Sequence, residues 1–237
     1  TQEDLLRYPR PLQEDLRLCR LLEVDYVFCP SVREMFPIGF KTEVTVRQLS
    51  DCLCGISRPG HFTGVATVVA KLFNIVRPDS AYFGQKDAQQ AVIIRKMAED
   101  LNFATKIIVM SIVREESGLA LSSRNAYLSS AEIEDAAVLS QALRFARDLI
   151  NSGYTDVSGI KKKLSGLIRS KKRAAIEYIC IVDAHTLQPL KKTTGKCLIA
   201  LAVCIGKTRL IDNILCTRTS VKAAGQHMRV HQNAYLL

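Results

Sequence analysis

Apolar and polar positions alternate along the chain with two periods, one near 3.6 and one near 2, and the changes between them mark the elements. From Pro11 to Glu23, Leu12, Leu16, Cys19 and Leu22 fall on one helical face. Asp25–Cys29 (DYVFC) reads as a short strand stopped by Pro30, and Thr42–Arg47 alternates as a second strand would. Gly64–Val76 predicts a helix with a broad stripe of Val65, Val68, Val69, Leu72, Phe73 and Val76. Arg77-Pro78 closes it, because the proline ring disfavours helix in the residue before it. Ser80–Phe83 is a short buried strand broken by Gly84. Asp87 then supplies an N-cap with Gln90 as its capping-box partner. Ala91, Ile94, Met97, Ala98 and Leu101 carry that helix on to a further strand at Lys106–Met110.

Strand, helix and strand with short connections predict a right-handed βαβ crossover in a parallel sheet, hence an α/β fold. After Tyr127 the pattern changes. Ser130–Ile150 predicts one amphipathic helix, Gly153 breaks it, and Val157–Ile168 predicts another. Strand-like runs follow at Ala175–Val182, Lys196–Ile205 and Arg209–Leu215, the order of a smaller C-terminal α+β domain. Three segments result: residues 1–110, residues 111–215 and a tail, 216–237.

Composition narrows the class. The 237 residues are 48% hydrophobic and 24% charged, enough for a sizeable core. No apolar run reaches the ~18–20 residues a membrane span needs, and Thr1–Asp15 lacks the apolar stretch of a signal peptide. A cytoplasmic protein is expected. The eight cysteines fit reduced thiols, since Cys52 and Cys54 lack the second pair that zinc requires. The net charge of +10 sits in runs such as Lys161–Lys163 and Arg169–Arg173, which read as solvated faces. No RNA- or DNA-binding signature accompanies them, so neither nucleic acid nor a membrane is an expected partner.

Two polar loops carry candidate chemistry. Ligands of open α/β sheets sit outside the carboxyl ends of the strands. Gly84–Asp87 (GQKD) occupies such an end and opens a helix, where N–H groups attract phosphate. Lys86 adds a mobile positive charge. Ser122, Ser123 and Arg124 follow the next strand and offer two hydroxyls and a guanidinium fork suited to polyphosphate. Either loop alone is an ordinary polar turn. Convergence at one sheet edge favours a nucleotide site.

Longer motifs carry a resemblance. RYPR (Arg7–Arg10), RPGHFTGVATVVAKLFNIVRPD (Arg58–Asp79), AYFGQKDAQQ (Ala81–Gln90) and VREESGLALSSRNAYLS (Val113–Ser129) occur in order. IEYICIVDAHTLQPL (Ile176–Leu190) and TRLIDNI (Thr208–Ile214) complete the series. In these motifs the chain resembles the pantothenate synthetases, pantoate–β-alanine ligases of the HIGH/KMSKS nucleotidyltransferase superfamily, with LSSR in place of KMSKS. The resemblance implies a Rossmann-like, doubly wound parallel sheet and a homodimer. It implies activation of pantoate by ATP, with Mg²⁺, to pantoyl adenylate, then attack by the amine of β-alanine. Gly84, Gln85, Lys86, Asp87, Val113, Leu121, Ser122, Ser123 and Arg124 match the family's ATP contacts, and Gln90 its pantoate site. Lys86, Ser122, Ser123 and Arg124 are the residues expected to act in catalysis. Arg58 is a candidate phosphate contact. Asp15, beside Glu14, matches an acidic spot near Mg-ATP and β-alanine. His61 is read as a structural hydrogen-bonder.

Two departures stand out. The family's P-T-M-G-x-L-H-x-G-H motif does not occur in these residues, whose histidines are His61, His185, His227 and His231. The chain therefore resembles the family without its N-terminal segment, and this segment alone is expected to be poorly active. The tail from Cys216 has no family counterpart and is expected to pack loosely. Alternative readings are a relative using another carboxylate, and a truncated, inactive paralogue acting as a scaffold or surviving as a gene relic.

Overall fold

Two sheets organise residues 11–217, the part of the chain that the computed structural model describes. RYPR and residues 218–237 lie outside the described residues. The expected loose packing from Cys216 does not hold for Cys216 and Thr217, which continue the last strand, with Cys216 buried in the core because it fits that strand's apolar face. Helix α1 (Leu12–Leu21) is followed by the short α2 (Val32–Met35), a 3₁₀ turn at Leu49–Asp51 and the short α3 (Cys54–Ser57). Helix α4 (His61–Val76) leads into β1 (Ser80–Gly84), a 3₁₀ turn (Gln85–Asp87), α5 (Ala88–Asp100) and β2 (Lys106–Met110). Strands β1 and β2 pair in parallel from Ser80↔Lys106 to Gly84↔Met110, the expected βαβ unit.

The C-terminal part contains α6 (Ser130–Ala136), α7 (Val138–Asn151), α8 (Val157–Arg169), β3 (Ala174–Asp183), β4 (Lys196–Ile205) and β5 (Thr208–Thr217). The three strands form an antiparallel sheet in the order β3-β4-β5. Strand β4 (KCLIALAVCI) is almost continuously apolar because both of its faces are covered. Ile199, Leu201, Val203 and Ile205 meet α7 and α8 in one core. Leu198 and Ala200 meet α4 and α5 in the other. The same sheet is therefore shared by two cores.

Several expected elements change. Asp25–Cys29 and Thr42–Arg47 are not strands. Tyr26 is 92% exposed and Phe28 53%, and no described strand lies beside them to complete a ladder. The 42–47 segment bonds to α4 instead: Val44 N–H donates to Thr67 Oγ1 at 2.9 Å, and Thr45 and Thr63 hydroxyls meet at 3.1 Å. The Asp87–Gln90 capping box is absent, since a 3₁₀ turn precedes α5 and Asp87 makes no side-chain cap bond. The single helix expected over 130–150 is divided at Ala137, with no proline or glycine marking the break. Its N-cap is Ser129, whose N–H and hydroxyl both donate to Glu132 at 2.9 and 2.8 Å.

Leu164 of α8 is fully buried against β4 and α7. Leu164→Ala is expected to lower the unfolding free energy by about 2–5 kcal/mol, read as a lower urea midpoint at unchanged slope. A loss below about 1 kcal/mol would mean this core collapses freely around the deletion.

Candidate active site

The edge of the parallel pair is where the backbone turns and polar groups gather. Gly84 ends β1 with ordinary extended geometry, and a Cβ built there would meet nothing within 4 Å. The following 3₁₀ turn presents Lys86 and Asp87, whose charged groups lie 3.9 Å apart. Both are partly exposed, so that pair contributes little. Helix α5 then places Gln90 one turn further on.

Opposite stands the loop leading to LSSR. Residues 113–121 form a narrow hairpin in which Leu121 N–H donates to the Val113 carbonyl at 2.9 Å. Ser122 caps the next 3₁₀ turn (Ser123–Tyr127) by accepting from Arg124 N–H at 3.3 Å. Asn125 secures the turn from behind, donating to Glu115 Oε1 at 2.6 Å and to the Ala120 carbonyl at 3.2 Å.

Strand β5 ties the two loops together. Asp212, only 2% exposed, receives a bidentate contact from Arg114 at 2.7 and 3.0 Å, and Arg114 also donates to the Gly118 carbonyl at 3.0 Å. Its neighbour Asn213 donates through Nδ2 to the carbonyls of Gln85 and Lys86, each at 2.9 Å. Asn213 Oδ1 in turn accepts from Gln85 Nε2 at 3.3 Å. One dipeptide thus fixes the hairpin before LSSR and the GQKD turn.

Between these elements lies a crevice lined by Arg58, His61, Lys86, Asp87, Gln90 and Arg124, with Leu53, Cys54, Phe62, Tyr178 and Arg209 among its other walls. Its volume is about 80 Å³, room for a phosphate- or carboxylate-sized group. Whole-ligand pockets usually run to ~300–1,000 Å³. Arg58 Nη1 lies 3.1 Å from His61 Nε2. An arginine can only donate, so Nε2 accepts and the ring is neutral with its proton on Nδ1. Burial, and secondarily the Arg58 charge, hold the His61 pKa below its usual value. At the far wall the Glu177 carboxylate binds Arg209 at 2.6 and 3.0 Å, and a hydrogen bond joins Cys54 Sγ and Tyr178 Oη at 3.0 Å. A bulge in β3 between Ile176 and Tyr178 brings Glu177 and Tyr178 to this wall.

Of the residues singled out from sequence, Arg58, Lys86, Asp87, Gln90 and Arg124 share the crevice. Gly84, Gln85, Ser122 and Ser123 belong to the loops that frame it. Val113 and Leu121 are 66% and 55% exposed, and they meet through their backbones. Asp15 is exposed on α1, a helix with no buried residue, and is not part of the crevice lining, while Glu14 pairs with Arg17 at 2.8 Å. Among the described residues no group of three or more acidic, histidine or cysteine side chains could hold a metal ion. Sequence reasoning missed Arg114, Asp212, Asn213, Gln89, Tyr178 and Arg209. The signal for two of them was the dipeptide Asp-Asn inside an otherwise apolar strand (TRLIDNIL), which demands buried partners.

The fold and crevice define an α/β protein whose sheet edge presents converging cationic and amide groups. Comparison with known proteins gives this class its family. The family model described as Pantoate-beta-alanine ligase matches residues 1–215. The pantothenate synthetase of Caldicellulosiruptor saccharolyticus is 56% identical over 213 residues, covering 90% of this chain and 76% of the relative. That of Heliobacterium modesticaldum is 55% identical over the same span. Among solved structures, pantothenate synthetase from Thermus thermophilus superposes with a TM-score of 0.84 at 42% identity, covering 88% of this chain and 75% of that one. Pantoate-beta-alanine ligase from Francisella tularensis, complexed with beta-gamma ATP and beta-alanine, gives 0.71 at 36% identity, with 91% and 74% coverage. The chain belongs to the pantoate–β-alanine ligase family, and its enzyme class is that of a ligase of pantothenate biosynthesis. The family match ends at residue 215, just after the LIDN motif. No helix among the described residues is long and apolar enough to cross a membrane.

Because its folded pKa is depressed, His61 adds stability at pH values above its ordinary 6.5. That contribution is lost as pH falls from there through the folded pKa. In an NMR titration the His61 ring should titrate below 6.5, and Arg58→Met should move it upward. An unchanged midpoint in the variant would remove Arg58 as a contributor.

Proposed function

We propose that the crevice condenses pantoate with β-alanine through an acyl adenylate, at the expense of ATP. The observation that carries this reading is the convergence of Lys86, Gln90 and Arg124 on one cavity sized for a carboxylate or phosphate. A pantoate carboxylate oxygen attacks the α-phosphorus and the bond to pyrophosphate breaks. The uncharged amine of β-alanine then attacks the acyl carbon, AMP leaves, and the nitrogen loses a proton. Neither step needs a covalent protein intermediate. Alignment and neutralisation of phosphate charge therefore supply most of the rate.

In this reading Lys86 and Arg124 grip the phosphates from opposite sides. Gly84, Gln85 and Asp87 at the β1 end, with Val113, Leu121, Ser122 and Ser123 on the facing loop, complete the ATP contacts. Gln90 holds pantoate by its amide. Arg58 meets the leaving pyrophosphate, a role supported by its bond to neutral His61 rather than to a carboxylate. The Francisella relative, whose structure holds an ATP form and β-alanine, supports both as substrates here. Mg²⁺ would come with the ATP phosphates. The described side chains build no cage for it, and Asp15 lies outside the crevice lining, so no step is assigned to the metal.

The β1–β2 pair would be part of a doubly wound, Rossmann-like sheet, a reading supported by the superposition on the Thermus enzyme. Residues 1–110 and 111–215 would act as nucleotide domain and lid, each centred on one of the two cores. A cytoplasmic homodimer is the expected state, and eight free cysteines suit a reducing compartment.

Incubation with pantoate, ATP, Mg²⁺ and β-alanine is expected to release AMP only when all are present. Lys86→Ala should lower kcat by about 10²–10³-fold. Gln90→Leu should raise KM for pantoate and leave KM for ATP near its original value. AMP release that does not need β-alanine, or that prefers another carboxylate, would overturn the assignment.

A further inference from the structure

The two consecutive glutamines at the start of α5 do different work. Both border the crevice, but Gln89 is 6% exposed and directs its amide to the protein's own backbone. Three backbone groups engage its amide. Nε2 donates to the carbonyls of Leu49 at 2.8 Å and Cys52 at 2.7 Å, and Oε1 accepts from Cys54 N–H at 3.0 Å. All three partners belong to one loop, residues 49–54.

That loop is held in a conformation it would not choose. Leu53 has φ 48° and ψ −118°, and Gln48, just before the loop, has φ 67° and ψ −48°. Both are costly for residues with a Cβ and persist only where the surroundings over-determine them. The loop also closes tightly on itself, since a Cβ at Gly55 would lie 1.9 Å from the Ser50 carbonyl oxygen. Through this shape Leu53 and Cys54 form an apolar-and-thiol wall of the crevice, beside buried Phe62. A substrate with a carboxylate at one end and a branched apolar body needs both a polar grip and such a wall.

We infer that Gln89 is a positioning residue that sets the Leu53–Cys54 wall against Gln90 and so gives the crevice its selectivity for pantoate. The inference rests on the reading of Gln90 as the pantoate contact. Gln89 touches no reacting atom. Its three bonds hold the strained loop in place, and without them the wall relaxes and pantoate loses its apolar seat. ATP, gripped by the GQKD and LSSR loops, is unaffected because those loops are held by Asp212 and Asn213.

The test uses the full 237-residue chain, calorimetric titration with pantoate and separately with ATP, and hydrogen exchange at the Cys54 amide. Gln89→Met keeps side-chain length without hydrogen bonds. It should speed exchange at Cys54 and weaken pantoate by roughly tenfold, with ATP affinity within about twofold of the original. Leu53→Ala, which leaves the Gln89 bonds intact, should weaken pantoate several-fold and leave ATP alone. It decides the matter should Gln89→Met fail to fold. Pantoate affinity unchanged in either folded variant, or a parallel loss for pantoate and ATP, would overturn the proposal and leave the pantoate reading standing. Absence of pantoate binding by the unmutated chain would remove that reading, and this proposal with it.

Discussion

The two polar loops of the crevice are tied together by two adjacent side chains of β5 that point to opposite sides of the sheet. Alternation along a strand sends Asp212 one way and Asn213 the other. A carboxylate as buried as Asp212 is tolerable only if paired and hydrogen-bonded, and the Arg114 fork supplies both, at 2.7 and 3.0 Å. Removing one member of such a buried pair typically costs about 3–5 kcal/mol. Asn213 meanwhile donates to the carbonyls of Gln85 and Lys86 in the tight turn after β1. Asn213 N–H donates to Asp212 Oδ1 at 2.7 Å, so the two contacts are joined. The GQKD turn and the hairpin before LSSR cannot shift independently.

The C-terminal sheet that carries this bracket is itself packed on both faces. Strand β4 is buried on both faces, so one sheet completes the helical core of α7 and α8 and also closes the core of α4 and α5. A rigid, doubly packed sheet is what allows β5 to act as a fixed bracket. The crevice then gathers cationic groups, Arg58, Lys86, Arg124 and Arg209, in a space of about 80 Å³. Among their neighbours, Glu177 pairs with Arg209, Asp87 lies 3.9 Å from Lys86, and Arg58 meets a neutral histidine that adds no further charge.

Much of this was legible in the sequence. The strands β1, β2 and β4, the helices α4, α5 and α8, and the meeting of the GQKD and LSSR loops follow from period, breakers and loop position. What failed did so for physical reasons. Asp25–Cys29 has strand composition, but a strand exists only with a ladder partner, and the described residues provide none. Thr42–Arg47 alternates correctly, yet its backbone and hydroxyl groups are taken by Thr63 and Thr67 of α4. The break at Ala137 has no local signature. Gln89 was within reach: it shares a stripe with Ile93 and Met97, both buried at helical spacing. Attention to the Asp87–Gln90 spacing drew the reading to a capping box that does not form. Arg114, Asp212 and Asn213 became meaningful only once distant segments were brought together, 98 positions apart for Arg114 and Asp212.

The central claim is that β5 holds two separate loops as one phosphate-binding crevice. Calorimetric ATP titration of Asn213→Ala tests it most directly, because Asn213 supports the GQKD turn through backbone carbonyls and is asked to bind no phosphate itself. The account predicts ATP affinity weakened by at least about tenfold, with the variant still folded by circular dichroism. ATP affinity equal to that of the unmutated chain would contradict it.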